Sequence, residues 1–124
     1  MASEWRRTRL AEVADINPGA IGRDWPYSHM RYIDISSVGV GRIETPPQWM
    51  PVSDAPSRAK RLVREGDTVL STVRPNRRSM FFACEPGTDW VVSTGFAVLR
   101  PKTRIIDARF LYACVFSQAF TESL

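Results

Sequence analysis

The chain has 124 residues, 44% hydrophobic and 24% charged, which is the size and make-up of one ordinary globular domain. Seven Gly and nine Pro are too few for a fibrous or low-complexity protein. No apolar run approaches the ~20 residues of a membrane helix, and the opening Met-Ala-Ser-Glu-Trp-Arg-Arg has no apolar segment of the signal-peptide kind. Cys84 and Cys114 lie far apart in apolar contexts, which predicts buried free thiols in a reducing cytoplasm rather than a disulfide or half a zinc site.

The net charge is +4, carried by fifteen Arg and only two Lys, Lys60 and Lys102. Between Arg58 and Arg78, seven basic residues against two acidic ones leave +5; ten against eleven leave −1 for the rest. The excess therefore sits in one segment, as a polyanion site would require, and not over the whole surface. Arg carries a planar fork that pairs bidentately with phosphate and with guanine edges, whereas Lys is a hydrated point charge.

In chain order, Leu10, Ala11, Val13 and Ala14 fit one short helical face with Thr8 as its cap, ended by Asn17-Pro18-Gly19. A polar loop to His29 follows, and the alternation of Met30–Val38 predicts a strand. Gly39-Val40-Gly41 turns the chain; Thr45–Pro56, with four prolines, is predicted to be irregular. Ser57–Arg64 fits a helical turn carrying basic residues, and Glu65-Gly66-Asp67 a turn. Thr68–Val73 is the clearest strand. Pro75 interrupts it, Ser79–Cys84 resumes it, and Trp90–Arg100 is predicted as one strand with a bulge at Gly95. Asp107 can cap a helix from Ala108 to about Leu124, with Leu111/Val115 and Tyr112/Phe116/Phe120 on its buried face. The expected fold is α+β, a mostly antiparallel twisted sheet with short helices at both ends. The expected core includes Trp5, Ile33, Ile35, Val69, Leu70, Val98 and Phe116.

The search for catalytic patterns comes back empty. His29 has no neighbouring Cys or second His and is expected in a surface loop. Ser57-Arg58-Ala59-Lys60 matches S-x-x-K, but no S-D-N or K-T-G follows. Gly39-Val40-Gly41 lacks the third glycine and the strand–helix setting of a dinucleotide site. Glu65 and Asp67 lack the E-x-K of a nuclease and are expected to shape a turn and balance arginines. The basic segment remains. Its clusters, Arg58/Lys60/Arg61/Arg64 and Arg74-Pro75-Asn76-Arg77-Arg78, flank a strand and can fold onto one rim. Nucleic acid fits such a rim; an acidic protein partner, in a non-catalytic interaction module, is the alternative.

Five blocks then carry a family resemblance. Trp5 with Arg9–Gly19, Tyr32–Val38, Ala55–Arg61 with Gly66–Pro75, Ser93–Pro101 and Phe110-Leu111-Tyr112 resemble, in order, a target recognition domain of a type I restriction-modification specificity subunit. The resemblance implies one DNA target recognition domain over residues 1–124, expected to be an N-terminal fragment of a longer two-domain subunit. It implies sequence-specific binding of double-stranded DNA, with no catalytic residue, metal or cofactor in this chain. Modification (methyltransferase) subunits bring S-adenosylmethionine and methylate adenine; restriction subunits hydrolyse ATP and cut. The expected phosphate contacts are Arg58, Lys60, Arg61 and Arg64, and the expected base readers lie in the loop of Arg74, Asn76, Arg77 and Arg78. Adjacent side chains leaving a loop into a strand point to opposite sides, so one of Arg77 and Arg78 should face base edges and the other the backbone or the protein. Asn76 should project with Arg78, which favours Arg78 for the base.

Overall fold

A computed structural model describes residues 10–73 and 79–122. After a helical turn at residues 10–13 come β1 (Ala14–Ile16), β2 (His29–Ile33), β3 (Gln48–Pro51), β4 (Ala59–Leu62), β5 (Thr68–Ser71), β6 (Met80–Phe82), β7 (Trp90–Ser93), β8 (Phe96–Pro101) and the helix α1 (Ala108–Glu122). Single 3-10 turns lie at Ile35–Ser37 and Val52–Asp54. The strands form two four-stranded sheets, ordered β1-β8-β5-β6 and β3-β2-β7-β4. The first is antiparallel throughout; the second has one parallel pair, β2 with β7. The fold is α+β and mostly antiparallel, as the sequence predicts.

Three apolar clusters explain the layering. Ile33 and Val92 from the second sheet meet Val69, Phe81, Phe96 and Val98 from the first, and this is the core between the sheets. On the outer face of the first sheet, Leu70, Met80 and Leu99 pack against Leu111 and Val115 of α1. On the outer face of the second, Met30, Tyr32 and Val91 are covered by Ile21, Trp25 and Met50. Both faces of the central strands are therefore buried. This is why Val69-Leu70 and Val91-Val92 are apolar pairs and do not alternate with polar residues. The Phe110 amide donates to Asp107 Oδ1 at 3.0 Å, the expected cap of α1.

Several elements differ from expectation. Ser57–Arg64 is not a helical turn: β4 runs antiparallel to β7, with Ala59 opposite Ser93 and Leu62 opposite Val91. Burying Ala59 in β4 and Val63 just after it outweighs weak local helix preference. Trp90–Arg100 is two strands in different sheets, joined by a turn at Thr94-Gly95. Gly95 is a crossing point, not a bulge; a Cβ there would lie 2.7 Å from Ile35 Cδ1. Thr45–Pro56 contains an edge strand, where Pro51 costs no ladder bond on the open side. The strand at Met30 ends at Ile33, and Ala14–Ile16 is strand, not helix.

The two cysteines are free but exposed, not buried. Cys84 follows β6 outside the sheet, and Cys114 lies on the outward side of α1 just before the buried Val115. Ile33, Val69 and Val98 are fully buried as expected. Ile35, Leu70 and Phe116 are only partly buried against the core, and Trp5 lies outside the described residues.

Candidate nucleic-acid interface

One end of the two sheets gathers polar and basic groups. There the chain leaves β2, β5 and β7 and enters β4, β6 and β8. The Thr94-Gly95 turn ties the two sheets together: the Thr94 amide donates to the Arg58 carbonyl at 2.8 Å, and the Thr72 amide to the Gly95 carbonyl at 2.8 Å. Thr72 Oγ1 donates to the same carbonyl at 3.0 Å. Arg58, exposed at the start of β4, therefore stands two hydrogen-bonded steps from Thr72 and the exposed Val73. Arg74, Asn76, Arg77 and Arg78 lie outside the described residues, between Val73 and Ser79 in the β5–β6 connection.

Behind Arg58 the rim is polar. Tyr32 Oη donates to Asp34 Oδ1 at 3.4 Å, and Ser36 Oγ to Asp34 Oδ2 at 3.1 Å. Burial pushes the Tyr32 hydroxyl above its ordinary pKa, opposed by a Ser93 hydrogen bond and the Arg58 charge. That phenol stays protonated and keeps its hydrogen near neutral pH.

The structure divides the first basic cluster. Lys60 is exposed at a register shift in β4, and its carbonyl accepts from the Ile21 amide at 2.8 Å. Arg61 is half-buried, and its Nε has no hydrogen-bond partner among the described residues. Arg64 is six residues past Arg58, about 20 Å along an extended chain. It helps line a cavity of about 500 Å³ at the opposite end, together with Asp24, Glu65, Glu85, Trp25 and Trp90. With Asp24, Glu65 and Glu85 against Arg64, the lining of that cavity is net acidic.

The remaining polar residues do structural work. Asp67 is fully buried and takes both Arg100 Nε at 3.0 Å and Nη2 at 2.9 Å, plus the Arg64 amide at 2.8 Å. Asp67 does shape the 64–67 turn, as expected, but the arginine it balances is Arg100, across the sheet. Glu65 Oε1 accepts the Glu85 amide. His29 is not in a loop: it opens β2, hydrogen-bonds Asp89 Oδ2 at 3.0 Å and stacks on Trp49 with centroids 5.7 Å apart. Ser57 and Lys60 are both exposed. Among the described residues, no group of three or more His, Cys, Asp or Glu could hold a metal ion, and no helix is long and apolar enough to cross a membrane.

Sequence reasoning missed Arg42. It follows the turn at Gly41, whose φ of +84° favours glycine, and its side chain is 78% exposed. The Met80 amide donates to the Gly39 carbonyl at 3.1 Å, so this turn flanks β6 on the same rim. The glycines announced a turn; nothing local announced which strand it would lie beside.

No family model matches the chain. It is 34% identical over 71 residues to the Type I restriction enzyme HindI specificity subunit of Haemophilus influenzae, covering 57% of this chain and 16% of that protein. The HsdS subunit of Thermoanaerobacter tengcongensis matches its fold with a TM-score of 0.71 at 30% identity, over 84% of this chain and 27% of that one. A chain from a structure of complex assembly and conformational transition in a type I R-M system matches with a TM-score of 0.73 at 29% identity, over 86% and 28%. The chain thus spans a sixth to a little over a quarter of the length of these relatives. By sequence and by fold, the chain is similar to a domain of type I restriction-modification specificity subunits.

Proposed function

We propose that this domain recognises duplex DNA in a sequence-specific way and directs methylation or cleavage carried out by partner modification and restriction subunits. The observation that supports this most is the likeness to specificity subunits in both sequence and fold. The rim agrees with it: Arg58 is exposed where the arginine-rich β5–β6 connection leaves and rejoins the sheet. In this reading Arg58 and Lys60 contact phosphates, and the segment from Arg74 to Arg78 reads base edges. Arg61 contributes through the outer part of its guanidinium, and Arg64 faces the other end. The domain itself supplies no catalytic group or cofactor, and its isolated affinity should be that of nonspecific contacts, ~10⁻⁴ to 10⁻⁶ M at physiological salt.

The test is a binding selection on randomised duplexes by the domain assembled with methyltransferase subunits. Arg77→Ala and Arg78→Ala should behave differently. The base-facing change should cost ~1–3 kcal/mol and relax one position of the selected sequence; the other should weaken all sequences evenly. If both variants keep the wild-type preference and lose only overall affinity, the segment is a phosphate clamp and the bases are read elsewhere.

A further inference from the structure

The rim carries a carboxylate that contact with phosphates leaves without a use. Asp34 follows β2 directly and opens the 3-10 turn Ile35–Ser37. An aspartate in that place ordinarily caps the turn with its side-chain oxygen. Asp34 makes no such bond; the backbone closes the turn, with the Ser37 amide donating to the Asp34 carbonyl at 3.0 Å. The carboxylate is held from two sides instead. Tyr32 Oη donates to Oδ1 and Ser36 Oγ to Oδ2. Tyr32 is buried among Met30, Ala59 and Val91, so one of these donors is anchored in the core. Two neutral hydroxyls orient the group without neutralising it. Among the described residues no basic side chain forms an ion pair with Asp34. A carboxylate has about four lone-pair sites, so acceptor capacity remains, and the side chain is partly exposed. The Arg58 charge is felt at the Tyr32 hydroxyl, which puts Arg58, Tyr32 and Asp34 in one corner of the rim.

Against a duplex, such a group has few favourable places. Phosphates repel it, and an ionised carboxylate can only accept hydrogen bonds. The donors in the major groove are the cytosine N4 and adenine N6 amino groups. At adenine the N7 acceptor stands beside the donor, whereas cytosine presents its donor alone. Guanine and thymine offer acceptors there. We propose that Asp34 accepts a hydrogen bond from a cytosine N4 amino group in the major groove and so selects C at one position of the recognised sequence. Tyr32 and Ser36 are then positioning residues that aim the carboxylate. This rests on the DNA-binding reading and deepens it, by naming a specificity-determining residue outside the basic segment and the base it takes.

The experiment is a binding selection on randomised duplexes by the full chain assembled with methyltransferase subunits. It compares wild type with Asp34→Asn, Tyr32→Phe and Ser36→Ala, and with Asp54→Asn as an exposed acidic control. Asparagine keeps the shape of aspartate and pairs with adenine N6 and N7. Asp34→Asn should therefore move one selected position from C toward A, by roughly fivefold or more in relative binding, and leave the other positions as they are. Tyr32→Phe and Ser36→Ala should each relax that same position by less. Ser36→Ala alters an exposed side chain only, so it carries the test should Asp34→Asn fail to fold. Asp54→Asn should change nothing. If Asp34→Asn weakens all sequences evenly, or leaves every position unchanged, Asp34 serves the turn alone and the proposal is overturned. A shift at a position where wild type does not select C overturns it equally. A wild-type assembly that selects no sequence would instead overturn the DNA reading underneath.

Discussion

Asp67→Ala should lower the unfolding free energy by about 3–5 kcal/mol, the cost of removing one partner from a buried ion pair. Asp67 is 0% exposed and holds three donors: both Arg100 nitrogens and the Arg64 amide. Its loss strands a guanidinium that is itself only 22% exposed and frees a backbone amide in a tight turn. The outer part of Arg100 can rehydrate, so the effect should fall at the lower end of the range. The pair spans from the turn before β5 to the end of β8, so the first sheet should loosen where those strands meet. Urea unfolding of the two proteins checks this, and a loss below about 1 kcal/mol would show that the pair is not the turn's main tie.

Phe96→Ala should cost a similar amount, about 3–5 kcal/mol. Phe96 is 1% exposed and is the largest fully buried side chain among the described residues. It opens β8 immediately after the turn that joins the two sheets, and its ring packs in the cluster shared by both. A cavity there cannot be refilled by a neighbouring loop, because strands of both sheets fix its walls. Phe96→Leu keeps most of the volume and should cost much less. If the two variants unfold at the same denaturant concentration, the ring is not filling the inter-sheet space as the structure shows it.

The parts of the fold legible in the sequence are those where one local signal suffices. β5 shows as an uninterrupted Thr-Val-Leu-Ser run before a proline. α1 shows as Asp107 followed by apolar residues four apart. β4 was illegible because Ser-Arg-Ala-Lys-Arg-Leu suits a helix locally, and only the distant β7 makes it a strand. β7 and β8 merged in the sequence for a related reason. Both are buried on two faces, so no polar alternation marks where the chain changes sheet.

The candidate site divides in the same way. Arg58 could be found from charge density, and the structure sets it at the rim. Arg64 shares that density but not the place, since six extended residues carry it to the acidic cavity. Arg42 shares the place without the density, because its turn reaches the rim through hydrogen bonding to β6. Charge counted along a chain finds a basic segment; only pairing between strands decides which of its members, and which residues outside it, share a face.

The most direct test of the DNA reading is the salt dependence of duplex binding by this chain. Four to five neutralised phosphates predict a slope of roughly −4 in log K against log salt concentration, since each contributes about −0.9. If the basic segment supplies those contacts, Arg58→Gln combined with Arg77→Gln should flatten the slope by about 2. A wild-type slope near zero would contradict the account and leave the rim as a contact surface for an acidic protein.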